Sequence, residues 1–239
     1  MSNIFFKFKQ FTIVQDQCAM KVGTDGVLLG AWANVDGCNN ILDIGTGTGL
    51  IALMLAQRNL GVTVDAIDID EQCVVQAQQN VASSSFAQRV VVQNSSFQDF
   101  LQGADIKYDL IVCNPPFFQN ALKSPSESRN FARHTNTLSF TDIIAQSSPL
   151  LADKGRLSLI LPHDCKQQIL DEAAKADLCA CRITNVFPLP HKSAKRILVE
   201  LTKDKSASVC TEESLIIELA RHQYSAEFKA LTDDFYLDR

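Results

Sequence analysis

The chain has 239 residues, 46% of them apolar, and a formal net charge of −5. That length suffices for one large domain, or one domain with an appendage, and the negative balance excludes wholesale charge attraction to nucleic acid, so any RNA or DNA contact must rest on local basic clusters. No run approaches the length of a membrane span, and the start MSNIFFKFKQF lacks the apolar core and cleavage site of a signal peptide, so a cytoplasmic location is expected.

In chain order, Lys7 and Lys9 first stand among Phe5, Phe6, Phe8 and Phe11. Phe11–Asp16 then precedes the block Met20–Gly26, followed by the apolar Val27, Leu28, Leu29 and Trp32, which read as a helix packing on a sheet. Thr24-Asp25-Gly26 sits at the start of that helix, where a threonine or aspartate cap is the ordinary reading. The same loop can also close over a ligand, and one segment can serve both ends. Ile41–Ile44 is a short strand, and a glycine turn leads from it into a helix over Leu50–Arg58. Val62–Ile69 is the next strand, and Glu71–Val81 a helix with Val74, Ala77 and Val81 on one face, capped by Asp70. Arg89–Val92 and Tyr108–Cys113 are strands, the second continuously apolar as a buried parallel strand should be.

Residues 114–138 are polar and irregular, and connections of that length are usually functional. A helix from Thr141 to Leu151, with Ser139 or Thr141 as cap, is followed by a turn at Asp153-Lys154-Gly155, a strand over Arg156–Leu161 and a helix over Asp164–Ala176. Leu178–Phe187 and Ile197–Thr202 read as two strands without an intervening helix, hence antiparallel. The alternation predicts an α/β fold with a mostly parallel sheet covered on both faces. One domain is expected over residues 1–239: an N-terminal extension over 1–35, a core over 36–203 and a C-terminal tail over 204–239. The eight cysteines show no C-x-x-C spacing. They are expected to be reduced and mostly buried, and no metal site is expected.

Three motifs carry chemistry. Asp43-Ile44-Gly45-Thr46-Gly47-Thr48-Gly49 follows a strand and opens a helix, where glycines permit a tight turn and close approach of a ligand to main-chain atoms. Its spacing is G-x-G-x-G, with Leu50 where a dinucleotide site would place its third glycine, which argues against NAD. Asp68 ends the second strand, where a carboxylate accepts ribose hydroxyls. Ser95-Ser96-Phe97 ends the third. The Ser96 hydroxyl or the backbone N–H of Phe97 can meet a ligand there. The third motif is Asn114-Pro115-Pro116-Phe117. The prolines stop the strand and keep Asn114 out of helical geometry. An amide oxygen and a carbonyl oxygen are thus held at a carboxyl strand end, where α/β sheets bind ligands. Together they form a socket for a planar NH2 group, with Phe117 placed to stack on a ring.

The tetrapeptide is similar to the N-P-P-[FY] motif of amino-group methyltransferases that use S-adenosylmethionine. The Met20–Gly26 block, the Asp43–Gly49 turn, Asn114–Phe117, Arg129–His134 and the tail Phe228–Leu237 together resemble, nearly end to end, the tRNA1(Val) adenine N6-methyltransferase family. The resemblance implies a seven-stranded Rossmann-like methyltransferase sheet with an antiparallel last strand. It also implies S-adenosylmethionine held by Thr24, Asp25, Asp43, Gly45, Thr46, Gly47, Gly49, Asp68, Ser96, Phe97 and Asn114, and a tRNA partner. Given the net negative charge, phosphate contacts are expected from Arg129, Arg133 and His134, from Lys192, Lys195 and Arg196, and from Lys7 and Lys9 among their phenylalanines. A monomer is expected. The motifs leave open other planar amino substrates: a release-factor glutamine, an rRNA guanine or a DNA adenine. A non-catalytic RNA-binding role on the same scaffold also stays open.

Overall fold

The computed structural model describes residues 3–18, 20–103, 106–116, 138–207 and 210–237. Its main sheet is built from β3 (Asn40–Ile44), β4 (Thr63–Asp68), β5 (Val90–Asn94), β6 (Tyr108–Cys113), β7 (Leu151–Pro162), β8 (Cys179–Phe187), β9 (Arg196–Thr202) and β10 (Thr211–Ile216). The strand order is β10-β8-β9-β7-β6-β3-β4-β5. All pairs are parallel except those that β9 makes with β7 and β8. The seven expected strands are present, and β10 from the tail adds an eighth at the edge. Its sequence, TEESLI, is polar and mostly exposed, so no apolar pattern marks it.

Alternation along each strand decides which face each side chain covers. Ile41, Leu110 and Val112 join one buried cluster with α1 (Thr24–Trp32) and α2 (Leu50–Arg58). Leu42, Ile111 and Cys113 join a second cluster with Ile143 and Ile144 of α5 (Phe140–Ser147) and Ile169 of α6 (Lys166–Lys175). Two buried faces explain why these strands read as continuous apolar runs. Between them in sequence lie α3 (Glu71–Ala82) and α4 (Phe97–Gly103). The side chain of Asp70 accepts the N–H groups of Gln72 and Cys73 and so caps α3, as expected, and Ser139 with Asp142 forms a capping box on α5.

Three expectations are corrected. Helix α1 is capped by Gly23 with no side-chain bond, so Thr24 and Asp25 are first-turn residues rather than caps. The expected turn at Asp153-Lys154-Gly155 lies inside β7. Leu151 pairs with Tyr108 and Arg156 with Leu110, so the extra residues bulge out of the ladder. A Cβ on Gly155 would stand 2.7 Å from the Tyr108 carbonyl oxygen, which is why the bulge closes on a glycine. Finally, Cys18 and Cys73 form a disulfide across 55 residues of sequence. The segment before α1 runs along α3, with the Gln17 N–H donating to Gln76 at 2.9 Å, and this lays Cys18 on the first turn of that helix.

A ribbon of β1 (Phe5–Lys7) and β2 (Thr12–Val14) packs Ile13 and Phe6 inward. The far end of the chain joins it. The Lys9 N–H donates to the Phe235 carbonyl at 2.8 Å, Phe8 bridges to Tyr236, and Phe228 of α7 (Ala226–Thr232) lies in the same cluster.

Candidate active site

Register alone brings the three motifs to one edge. Cys113 pairs with Ile44, and Ile44 with Ile67. Gly45, Asp68 and Asn114 therefore follow immediately after paired positions on neighbouring strands, at the carboxyl ends where such sheets bind ligands. A cleft of about 400 Å3 opens there. One wall is Met20, Lys21 and Gly23–Gly26, the floor is Gly45–Thr48 with Leu50 and Ile51, and Asn114 stands at the side.

The glycine turn takes its shape from Gly45, Gly47 and Gly49, whose φ angles of +70°, +55° and +81° suit residues without a Cβ. The Ile67 carbonyl accepts the N–H groups of Gly45 and Thr46 at 2.9 and 3.0 Å. Asp68 closes the turn from the next strand: its Oδ2 accepts the Gly47 N–H at 2.8 Å, and its Oδ1 accepts the Asp70 N–H at 2.9 Å. Ile69, which reads in the sequence as the end of a strand, is 56% exposed beside Asp68. Lys21, Met20 and Thr48 line the cleft without having been singled out individually; the first two lie in the conspicuous Met20–Gly26 block.

Asp43 lies beneath the cleft rather than on its wall. It is fully buried, and its Oδ2 accepts the Thr46 hydroxyl at 2.7 Å and the Ala52 N–H at 3.2 Å. Its Oδ1 has no partner among the described residues. Burial pushes this carboxyl from an ordinary 3.8 up to about 7, partly opposed by those two hydrogen bonds and reinforced by the charge of Asp68. The folded protein therefore holds a proton that the unfolded chain has released, and this contribution to stability is present below pH 4 and is lost as pH rises from about 4 to about 7. Asp43→Asn is expected to remove that dependence. Urea midpoints of both proteins at pH 5 and pH 7.5 check it, and an equal pH difference in the two would reject the assignment.

Ser95 N–H donates to the Asp68 carbonyl at 3.0 Å, so the segment opening α4 lies beside Asp68 as expected. The Ser96 hydroxyl is committed locally: it donates to Asp99 Oδ2 at 2.6 Å and accepts the Asp99 N–H at 3.0 Å. The Asp99 carboxylate therefore holds the Ser96 hydroxyl at the first turn of α4. The Phe97 side chain is buried in the second core cluster, which leaves its backbone N–H, in the first turn of α4, as the group able to meet a ligand.

Pro115 is buried and Pro116 exposed. Asn114 holds its side-chain oxygen buried and without a hydrogen-bond partner among the described residues. Phe117, Arg129, Arg133 and His134 lie outside those residues. The second basic group is at the same sheet edge, because Arg196 pairs with Pro162 at the carboxyl end of β7. Lys192 and Lys195 are exposed there. Arg196 has another commitment: its Nε donates to Asp25 Oδ2 at 2.7 Å, tying the β8–β9 connection to the cleft wall. Among the described residues no cluster of three His, Cys, Asp or Glu could hold a metal, and no helix is long and apolar enough to cross a membrane.

Residues 23–176 match the family model described as Methyltransferase small domain. The chain is 49% identical to a protein of Parabacteroides distasonis named tRNA1(Val) (adenine(37)-N6)-methyltransferase, with 99% of each chain covered. It is 48% identical to a protein of that name from Trichodesmium erythraeum, with 97% of each covered. Among solved structures, a predicted O-methyltransferase from Agrobacterium tumefaciens superposes with a TM-score of 0.66 at 21% identity, covering 90% of this chain and 99% of that one. That likeness speaks to the fold alone, which is the α/β methyltransferase fold.

Proposed function

The chain belongs to the family of tRNA1(Val) (adenine(37)-N6)-methyltransferases, and from that premise we propose that it uses S-adenosylmethionine to methylate the N6 amino group of adenine 37, beside the anticodon of tRNA1(Val). The observation that carries the proposal is the buried Oδ1 of Asn114 at the side of the cleft, which has no hydrogen-bond partner among the described residues. An unpaired buried acceptor is costly, and an amino group is the partner it lacks.

The residues present fit the methyl donor. Glycines at 45 and 47 leave the floor open to a ligand, and a Cβ built on Gly45 would meet nothing within 4 Å. Asp68 stands where ribose hydroxyls are accepted, and Ile69 and the Phe97 N–H lie beside it for an adenine. When bound, S-adenosylmethionine supplies an electrophilic methyl group on a sulfonium that leaves readily. The protein's own part is alignment. The exocyclic nitrogen of adenine is a poor nucleophile, because its lone pair is delocalised into the ring. Asn114 Oδ1 and the Pro115 carbonyl each accept one of its N–H bonds and hold the lone pair toward the cleft. The preorganised acceptors cost no reorganisation during the reaction. Phe117 is assigned the stacking role on sequence grounds.

Lys192 and Lys195 are proposed phosphate contacts, as are Arg129, Arg133 and His134 on sequence grounds. Arg196 shares that role with its tie to Asp25. The protein is proposed to work in the cytoplasm as a monomer, with residues 1–35 as an N-terminal extension and 204–239 as a C-terminal tail of one catalytic domain. Mass spectrometry of nucleosides tests the reading. After incubation with the protein and labelled S-adenosylmethionine, N6-methyladenosine is expected in tRNA from cells lacking the enzyme, and no label in DNA or protein. Label in DNA or protein without tRNA would reject it.

A further inference from the structure

The outer face of the N-terminal ribbon packs against nothing in the core. Register puts Phe5 opposite Val14 and Lys7 opposite Thr12, and all four are exposed while their neighbours Phe6 and Ile13 point into the core. Phe5 is 53% exposed and Met20, on the cleft lip, 52%. Single exposed apolar residues need no explanation. Here, however, Ile4, Phe5, Val14 and Met20 are four of the eleven exposed large apolar side chains among the described residues, and they lie on segments that one side chain ties together.

That side chain is the buried Gln15. Its backbone N–H donates to the Ile4 carbonyl at 2.8 Å, its Nε2 donates to the Asn3 carbonyl at 3.0 Å, and its Oε1 accepts the Val22 N–H at 2.8 Å. The ribbon end is thereby fixed to the Met20–Gly26 wall of the cleft. A second clamp holds it to the floor. Asn80 accepts the Val14 N–H and donates to the carbonyls of Val14 and Thr48, each at 2.9 Å. Phe5 therefore stands on a strand whose end these bonds tie to the wall and floor of the cleft. Lys7 shares its face, and none of the four residues on that face carries a negative charge.

We propose that this face is a nucleotide platform, on which Phe5 stacks an unpaired base of the substrate RNA next to the base being methylated. The inference rests on the tRNA reading above. An aromatic ring beside a lysine on a ribbon face suits a single-stranded nucleotide, because every base has a flat face and carries a phosphate. The anticodon loop supplies such bases without the cost of opening a helix.

The test is Phe5→Ala with Phe5→Tyr and Val91→Ala, the last an exposed apolar residue on β5 away from the ribbon. Phe5→Ala is expected to raise KM for tRNA by roughly 5- to 100-fold, the loss of one stacked base. KM for S-adenosylmethionine and the melting temperature should stay as in the wild type. Phe5→Tyr retains the ring and is expected to restore wild-type KM, and Val91→Ala to leave it unchanged. A Phe5→Ala protein with unaltered KM for tRNA, or a loss that Val91→Ala shares, overturns the proposal while leaving the tRNA reading intact. A wild-type protein that methylates no tRNA overturns both.

Discussion

Asn114→Ala is expected to lower kcat for methyl transfer to tRNA by about 100- to 1,000-fold, the scale of removing one preorganised polar group aimed at the reacting centre. The substitution deletes the buried Oδ1 that lacks a partner among the described residues, so the folded protein loses no hydrogen bond recorded at that atom. Stability should change little, and most of the effect should fall on the reaction. The affinity for S-adenosylhomocysteine, measured by calorimetry, is expected to fall far less than kcat, because the cofactor's other contacts remain. Asn114→Asp keeps an acceptor at the same place and should lose less activity than the alanine variant. A kcat for Asn114→Ala within tenfold of the wild type would refute the socket mechanism.

Asp68→Ala is expected to weaken S-adenosylhomocysteine binding by roughly 100- to 1,000-fold, from two charge-assisted hydrogen bonds to the ribose. The carboxylate also braces the protein itself, since it accepts the Gly47 N–H at 2.8 Å and the Asp70 N–H at 2.9 Å. Its loss therefore also frees the glycine turn from the neighbouring strand. Asp68→Asn leaves one acceptor oxygen for the turn and isolates the ribose share of the loss. Titration calorimetry on both variants, with melting curves as the control for folding, checks the expectation. An affinity for Asp68→Ala within threefold of the wild type would remove Asp68 from the cofactor site.

Much of this architecture is legible in the residue pattern, for identifiable reasons. Tyr108–Cys113 is a strand in pattern and in structure alike, because six residues with an apolar core stop at Asn114-Pro115. The helices over Leu50–Arg58 and Glu71–Ala82 carry a buried stripe or a local cap. Register does the rest, since parallel neighbours of similar length must end their motifs at one edge. What escapes the pattern is what depends on distant contact. Arg196 and Asp25 meet across 171 residues, and no local spacing announces it. The pairing of Cys18 with Cys73 follows from where the segment before α1 lies on α3, which a cysteine count does not reveal. Asp153-Lys154-Gly155 has turn chemistry, and the sheet takes the segment in as a bulge because Tyr108 and Leu110 still find partners on either side. Ser96 reads as free to meet a ligand; its hydroxyl is instead held by Asp99, three residues further on.

The meeting of the two ends of the chain has a consequence for synthesis. Lys9 and Asp233, whose side chains lie 3.4 Å apart, are separated by 224 residues. At a translation rate of about 5–20 residues per second, the N-terminal ribbon leaves the ribosome on the order of 10–45 s before the segment that packs against it. During that interval Phe6 and Phe8 lack their aromatic neighbour Tyr236. Gln15 ties the wall of the cleft to that ribbon, and the ribbon's aromatic packing is completed only when Phe228 and Tyr236 have been made. A ribosome stalled before Phe228 would thus hold a nascent chain whose N-terminal ribbon still lacks its aromatic cover.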